Sequence, residues 1–315
     1  MKKKNSILTA RKLSSRKKYF KDNYFNLLYM IPVLAGIFIF TFLPMGVSLY
    51  YSFVRVDLLS PSMDYGSFTI ANYKTAFVDN GSSMFHSYYI TFRYTIVCGG
   101  ISFIGSYIVA LLLNQKIKGM KTFRILFYLP CLIPAIASTL LWNGITRETG
   151  YFNLILTKLG FDPFTFYTDN KTVFLTQILL SGWGFSGGMI MWLAQFKNIP
   201  NDLYEEARLS GAGYFKQLFH ITIPLSTSMI FYNMIMSIIA NLQSFASYAT
   251  YLEYGRPNDL RFVGLMIYET AYTSEHYYDI SLASAYSWIL FLVIGGLTFL
   301  VLKSSRNWVY YAEDN

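Results

Sequence analysis

Six apolar runs separated by more polar stretches set the pattern of this chain, at residues 27–52, 90–113, 125–142, 173–196, 226–249 and 282–302. Each comes close to the roughly 20 apolar residues that an α-helix needs to cross a bilayer. The pattern therefore predicts an all-α membrane protein with six transmembrane helices. Pro32, Pro44, Pro130 and Pro134 lie inside these runs or at their rims. Neighbouring helices satisfy the carbonyls that such prolines free, so they do not argue against spans. The first run follows a polar and basic stretch, is too long for a signal-peptide core and has no small-residue cleavage site after it. It is expected to stay in the mature chain.

Composition agrees with the pattern. The 315 residues are 54% hydrophobic, 19% aromatic and 14% charged, whereas soluble domains carry about a quarter charged residues. The net charge of +9 does not predict a nucleic-acid partner, because the cations flank apolar runs and form no single stripe. Their distribution instead predicts orientation. Lys2, Lys3, Lys4, Arg11, Lys12, Arg16, Lys17, Lys18 and Lys21 precede the first run, and Lys116, Lys118, Lys121 and Arg124 fall between the second and third. Lys197, Arg208 and Lys216 fall between the fourth and fifth, and Lys303 and Arg306 follow the sixth. Eighteen of the 26 Lys and Arg thus lie on one side. The positive-inside rule places that side, with both termini, in the cytoplasm of a multi-pass plasma-membrane protein. The stretches 54–89 and 252–281 then face outward.

The expected organisation is a basic N-terminal segment (1–24), a six-helix membrane domain (25–303) containing a charged loop (200–224), and a short tail (304–315). The N-terminal segment suits either a disordered arm or an amphipathic helix on anionic lipid.

Several chemistries have no support. No phosphate-cradling G-x-x-x-x-G-K-[ST] occurs, so no ATP hydrolysis by this chain is expected; G-x-S-x-G and H-E-x-x-H are also absent. His86, His220 and His276 are scattered, and Cys98 and Cys131 sit in apolar runs without ligand spacing, which reads as packing. The inner parts of the runs carry no Asp, Glu, Lys or Arg, and Arg93 reads as an interfacial anchor. Ion-coupled carriers commonly keep intramembrane carboxylates. Any uphill transport would then draw its energy from another chain.

The charged loop stands apart from its surroundings. In EEARLSGAGYFKQLFHITIPL, residues 205–225, two glutamates, an arginine and two glycines separate two apolar runs. Asn201 or Asp202 suits an N-cap, with Glu205 as a first-turn acid. A helix is predicted to about Ser210, with Gly211 at the left-handed position beyond its end. A further helical turn, 214–220, leads to Pro224 at the start of the next span. A solvated connecting loop is the plain reading of such charges.

The same segment resembles the EAA loop of binding-protein-dependent ABC importers, E-A-A-x-x-x-G-A followed by I-x-L-P. Glu205, Ala207, Gly211 and Ala212 fall on the pattern, and Ile221, Ile223 and Pro224 match its end. Glu206 stands where Ala is usual, and Ser210 where sugar-transporting members often carry Asp. Further stretches are similar to the first permease of carbohydrate importers: IPVLAGIFIFTFLPMGVSLYYSF, ANYKTAF, FRILFYLPCLIPAIASTLLWNGI, TGYFNLIL and RNWVYY. The resemblance implies a transport subunit and no enzyme. It implies a second related permease, two copies of an ATPase that carries the ATP and Mg, an extracytoplasmic solute-binding protein, and a sugar as cargo. It assigns ATPase coupling to Glu205, Glu206, Ala207, Gly211 and Ala212, as a short helix seated in a groove of the ATPase. An importer of a non-sugar substrate stays open, and a secondary carrier or channel is the reading from another class.

One stripe of residues concerns the cargo. Asn233, Ser237, Asn241, Ser244 and Tyr248 recur at steps of four, four, three and four, which puts them on one helical face of the fifth run. Such residues serve either as hydrogen-bonding glue between helices or as the polar wall of a translocation path. The resemblance implies the wall, because in sugar-importing members the helix after the EAA loop lines the sugar site. It extends the path to Trp183 and Gly184 on the preceding helix.

Overall fold

The computed structural model describes residues 29–55, 68–115, 117–167, 170–183, 185–245, 250–251, 254, 257–272 and 279–310. Among these residues every regular element is helical. The N-terminal segment, Tyr248, Gly184 and Lys116 lie outside the described residues.

Four helices are long and apolar enough to cross a membrane: Tyr29–Ser52, Gly81–Leu113, Lys171–Asn198 and Ile280–Ser305. Two bent pairs bring the count to six if each is one span: Met120–Leu132 with Ala135–Lys158, and Tyr214–Leu225 with Thr227–Leu242. The expected six are reached when each bent pair counts as one span, and two of the expected outlines change. The third run, expected as one helix over 125–142, is bent by 100° between its two pieces. Pro130 sits in a short tight turn, Leu129–Leu132, and Ile133 is extended at ψ 124°. A residue before proline is driven out of the helical region, so the chain breaks just ahead of Pro134.

The fifth run also departs from the outline. Its main helix ends at Leu242, short of the expected 249, with Gln243 as C-cap. Ser244 therefore lies beyond the helix and does not share its face by helical periodicity. The turn expected at 214–220 continues through a wide π-type turn, Leu218–Thr222, to Leu225. The break falls at Ser226, where the two pieces meet at 66°, and Pro224 is carried within the first piece.

The second span starts at Gly81, earlier than position 90. Its added turns are polar in sequence, yet Met84, Ser87 and Tyr88 are buried. Met84 and Tyr88 face a core shared with Leu242, Val263, Met266, Leu282 and Tyr286. A second core gathers Ala110, Leu113, Met189, Trp192, Leu193, Phe196 and Ile199 between the second and fourth spans. The first span buries none of its apolar window within the chain, so its outer face meets lipid or another subunit.

The ends remote from the basic loops are pinned by charge. Arg93 lies 3.8 Å from Asp259 and stacks 3.5 Å above the Phe174 ring, a cation–π geometry. The anchor role expected of Arg93 is thus filled by protein partners. Arg261 pairs with the buried Glu269 at 2.8 Å and donates to Ser83. The free cysteines divide: Cys98 is buried, whereas Cys131 is exposed, so intrachain packing accounts only for Cys98.

Candidate functional site

The charged loop folds as a self-contained hairpin of two helices. Pro200 is the N-cap, with ψ 132°, and the helix runs from Asn201 to Leu209. This corrects the expected cap: neither Asn201 nor Asp202 caps the helix through its side chain, Asp202 supplies the first-turn acid, and Glu205 sits one turn later. Proline at 200 fixes φ and leads the chain into the helix without a side-chain cap.

The C-terminal end closes as predicted. Gly211 adopts φ +75°. Its N–H donates to Arg208 O at 2.9 Å, and the Ala212 N–H donates to Ala207 O at 2.8 Å. Those two bonds form a Schellman closure, which needs the left-handed residue that glycine provides at least cost. Gln217 Nε2 then donates to Ala212 O at 2.7 Å, and Tyr204 Oη shares a 2.9 Å hydrogen bond with Thr222 Oγ1. These two bonds tie the first helix and the turn after it to the segment that leads into the fifth span.

Its outward face is prepared for contact. Glu205, Glu206 and Arg208 are exposed, Ala207 and Ala212 are half-buried, and Leu209 is 90% exposed. Phe215 and Phe219 are exposed on the next helix. Exposed apolar side chains thus stand beside exposed charges on this loop.

Within the membrane domain, a small cavity of about 190 Å³ lies between the second, fourth and fifth spans. Ser102, Ser106, Gly187, Gly188, Trp192, Asn233 and Ser237 are among its lining residues. The Asn233 Nδ2 is buried without a hydrogen-bond partner. Such a group costs about 1–3 kcal/mol unless water or a ligand satisfies it, and the cavity has room for a few waters. Trp192 Nε1 donates to Ser106 Oγ at 3.1 Å. One turn away, Asn241 Nδ2 donates to Ser237 O at 2.8 Å and lies 3.1 Å from Ser237 Oγ. A methyl group on Gly99 would meet that amide nitrogen at 2.7 Å, so the second span approaches the fifth this closely only because residue 99 has no side chain.

The structure thus brings Asn233, Ser237 and Asn241 together on one helix. Ser244 follows the helix end, its N–H donating to Asn241 O at 3.2 Å, and its carbonyl packs against Gly264. Trp183 is not part of the cavity lining; its ring stands edge-on to Trp142 at 5.5 Å. Ser102, Ser106 and Trp192 were not singled out by the sequence reading. The four-residue step between the two serines, against the Gly187–Gly188 pair, was the available signal.

The chain is 32% identical over 295 residues to the probable ABC transporter permease YesP of Bacillus subtilis, covering 92% of this chain and 93% of that one. It is 28% identical over 252 residues to the maltose/maltodextrin permease MalF of Escherichia coli, covering 75% of this chain and 48% of MalF. The aligned region thus spans about half the length of MalF. Among solved structures, a bacterial ABC transporter for import of the acidic polysaccharide alginate superposes with a TM-score of 0.75 at 20% identity, over 92% of this chain and 98% of that one. Residues 102–312 match the family described as binding-protein-dependent transport system inner membrane component. That match covers both the polar cavity and the hairpin of the charged loop, and the chain belongs to this family of ABC importer permeases.

Proposed function

We propose that this chain is one of two related permeases in an ATP-driven importer of sugars or oligosaccharides. The cycle is alternating access: closure of an ATPase dimer carries the helix Asn201–Leu209 with it, and the fifth span follows through the Tyr204–Thr222 and Gln217–Ala212 bonds. Glu205, Glu206, Ala207, Gly211 and Ala212 carry the contact, and ATP and Mg belong to the ATPase. An extracytoplasmic binding protein delivers the cargo. Its path runs along Ser237, Asn241 and Ser244, with Asn233 as the polar group at its inner end. Tyr248, Trp183 and Gly184 extend that path as proposals from the resemblance. The observation that carries the reading is the glycine-closed hairpin with its exposed charged and apolar face. Sugar as cargo is supported by relatives named for maltodextrin and alginate transport.

Reconstitution with the partner permease, the ATPase and the binding protein tests it. Uptake of a labelled oligosaccharide should require ATP and should accompany stimulated ATP hydrolysis. Uptake that persists without the ATPase would make the chain a secondary carrier, and ATP-dependent uptake of non-sugars alone would remove the sugar assignment.

Orientation has its own expected result. Lys118 and Asp79 are both exposed, Lys118 in the turn after the second span and Asp79 at the end of the helical segment Thr75–Asp79 just before it. After Cys98 and Cys131 are replaced, a cysteine at position 79 should label with an impermeant thiol reagent in intact cells. A cysteine at position 118 should label only after permeabilisation. The reverse pattern inverts the topology.

A further inference from the structure

A cavity of about 1080 Å³ opens among the basic ends of the spans. It lies where the second span ends at Leu113, the third begins at Met120 and the fourth ends at Asn198. Ends of membrane-spanning helices on the basic side lie near the edge of the hydrocarbon, where lipid head groups sit. Lys121, Arg124, Lys197 and Arg208 are among the residues that line it, with no Asp or Glu in the lining. Among the described residues none of these four cations forms an ion pair. Arg124 Nε and Nη2 donate to Leu113 O at 3.1 and 2.7 Å, which anchors the guanidinium at the end of the second span.

The rest of the lining divides in two. Leu111, Ile117, Met120, Phe196, Ile199 and Leu218 are apolar, whereas Asn114, Gln115, Asn201, Tyr204 and Gln217 carry amide or hydroxyl groups. Four like charges around one cavity repel, and an anion placed among them relieves that repulsion. Pockets of basic residues between membrane helices at this depth take phosphorylated head groups. The apolar lining suits the start of an acyl chain, which a free ion does not possess. We propose that this cavity binds the phosphate group of an anionic membrane phospholipid, held by Lys121, Lys197 and Arg208 beside the anchored Arg124. The occupant would stand between the loop after the second span and the helix Asn201–Leu209, where it joins the two.

The test uses the complex of this chain with its partner permease and ATPases, in nanodiscs of phosphatidylglycerol and phosphatidylcholine. Native mass spectrometry after detergent extraction reads the retained lipid, independently of transport, so its outcome does not depend on the sugar reading. The expected result is preferential retention of phosphatidylglycerol by the wild-type complex. The double variant Lys121→Gln, Lys197→Gln should bind it about thirtyfold more weakly, at roughly fivefold per lysine. Neither lysine makes a described hydrogen bond to the protein; should the variant still fail to assemble, the wild-type preference between the two lipids decides alone. Equal retention of both lipids by the wild type, or unchanged retention by an assembled double variant, overturns the proposal. Displacement of the lipid by inorganic phosphate at equal concentration would assign the cavity to a soluble anion and overturn it. Lipid held by the isolated permease but absent from the complex would do the same, since an ATPase segment would then fill the space.

Discussion

Gly211→Val is expected to abolish transport while leaving the protein in the membrane. Position 211 holds φ +75°, a region that costs a side chain about 1–2 kcal/mol and is worst for a β-branched residue. No heavy atom lies near enough to obstruct a side chain there, so the strain is confined to the backbone. Relief requires turning φ negative, which breaks the bonds from Gly211 to Arg208 and from Ala212 to Ala207. The Gln217 bond to Ala212 O is then lost as well. The helix Asn201–Leu209 would keep its sequence but lose its aim relative to the fifth span. Membrane insertion depends on the apolar runs and should be untouched, whereas ATP-driven uptake should fall to background. Gly211→Asn, which tolerates the left-handed region better, should retain part of the activity. The measurements are membrane abundance, co-purification of the ATPase and uptake. Normal uptake in the valine variant would show that the hairpin geometry does not carry the motion.

What the sequence disclosed follows from the range of the forces involved. The six spans were legible because the hydrophobic pattern is local and strong, and the left-handed Gly211 because a glycine just past a short charged helix has few other uses. The break before Pro134 was in principle local too, but proline is tolerated within many membrane helices, so its presence alone did not separate a kink from a 100° bend. The early start of the second span was hidden. Met84 and Tyr88 read as part of an outward loop and are buried in a core that Leu282, Tyr286 and Val263 join from far along the chain. The cavity shared by Ser102, Ser106 and Asn233 likewise joins three separate spans, and no single-helix periodicity contains it. The helical face expected of the fifth run extends over Asn233, Ser237 and Asn241 and stops short of Ser244, where the helix has already ended.

Asn241→Leu should lower sugar uptake about ten- to a hundredfold while assembly with the ATPase stays near the wild-type level. A sugar crossing the membrane loses its water, and each hydroxyl left without a partner costs about 1–3 kcal/mol, which sets that range. Leucine keeps the branched four-atom skeleton of asparagine with bulkier methyl ends, and what disappears is the amide. In the structure that amide donates to Ser237 O and lies within reach of Ser237 Oγ, so the two residues act as one polar unit. Ser237→Val should weaken uptake in the same direction, and the double variant should add little to either single one, as expected for coupled neighbours. Gly99→Ala offers a test that leaves the amide in place. The added methyl would press on the Asn241 nitrogen from 2.7 Å and push the side chain aside, giving a partial loss of uptake. If the stripe is only glue between helices, all of these variants should instead lower the thermal stability or the yield of the assembled complex, and uptake per assembled complex should stay unchanged. Uptake normalised to assembled complex therefore separates a polar wall of the path from a structural contact, and unchanged normalised uptake in Asn241→Leu and Ser237→Val would remove the fifth span from the sugar path.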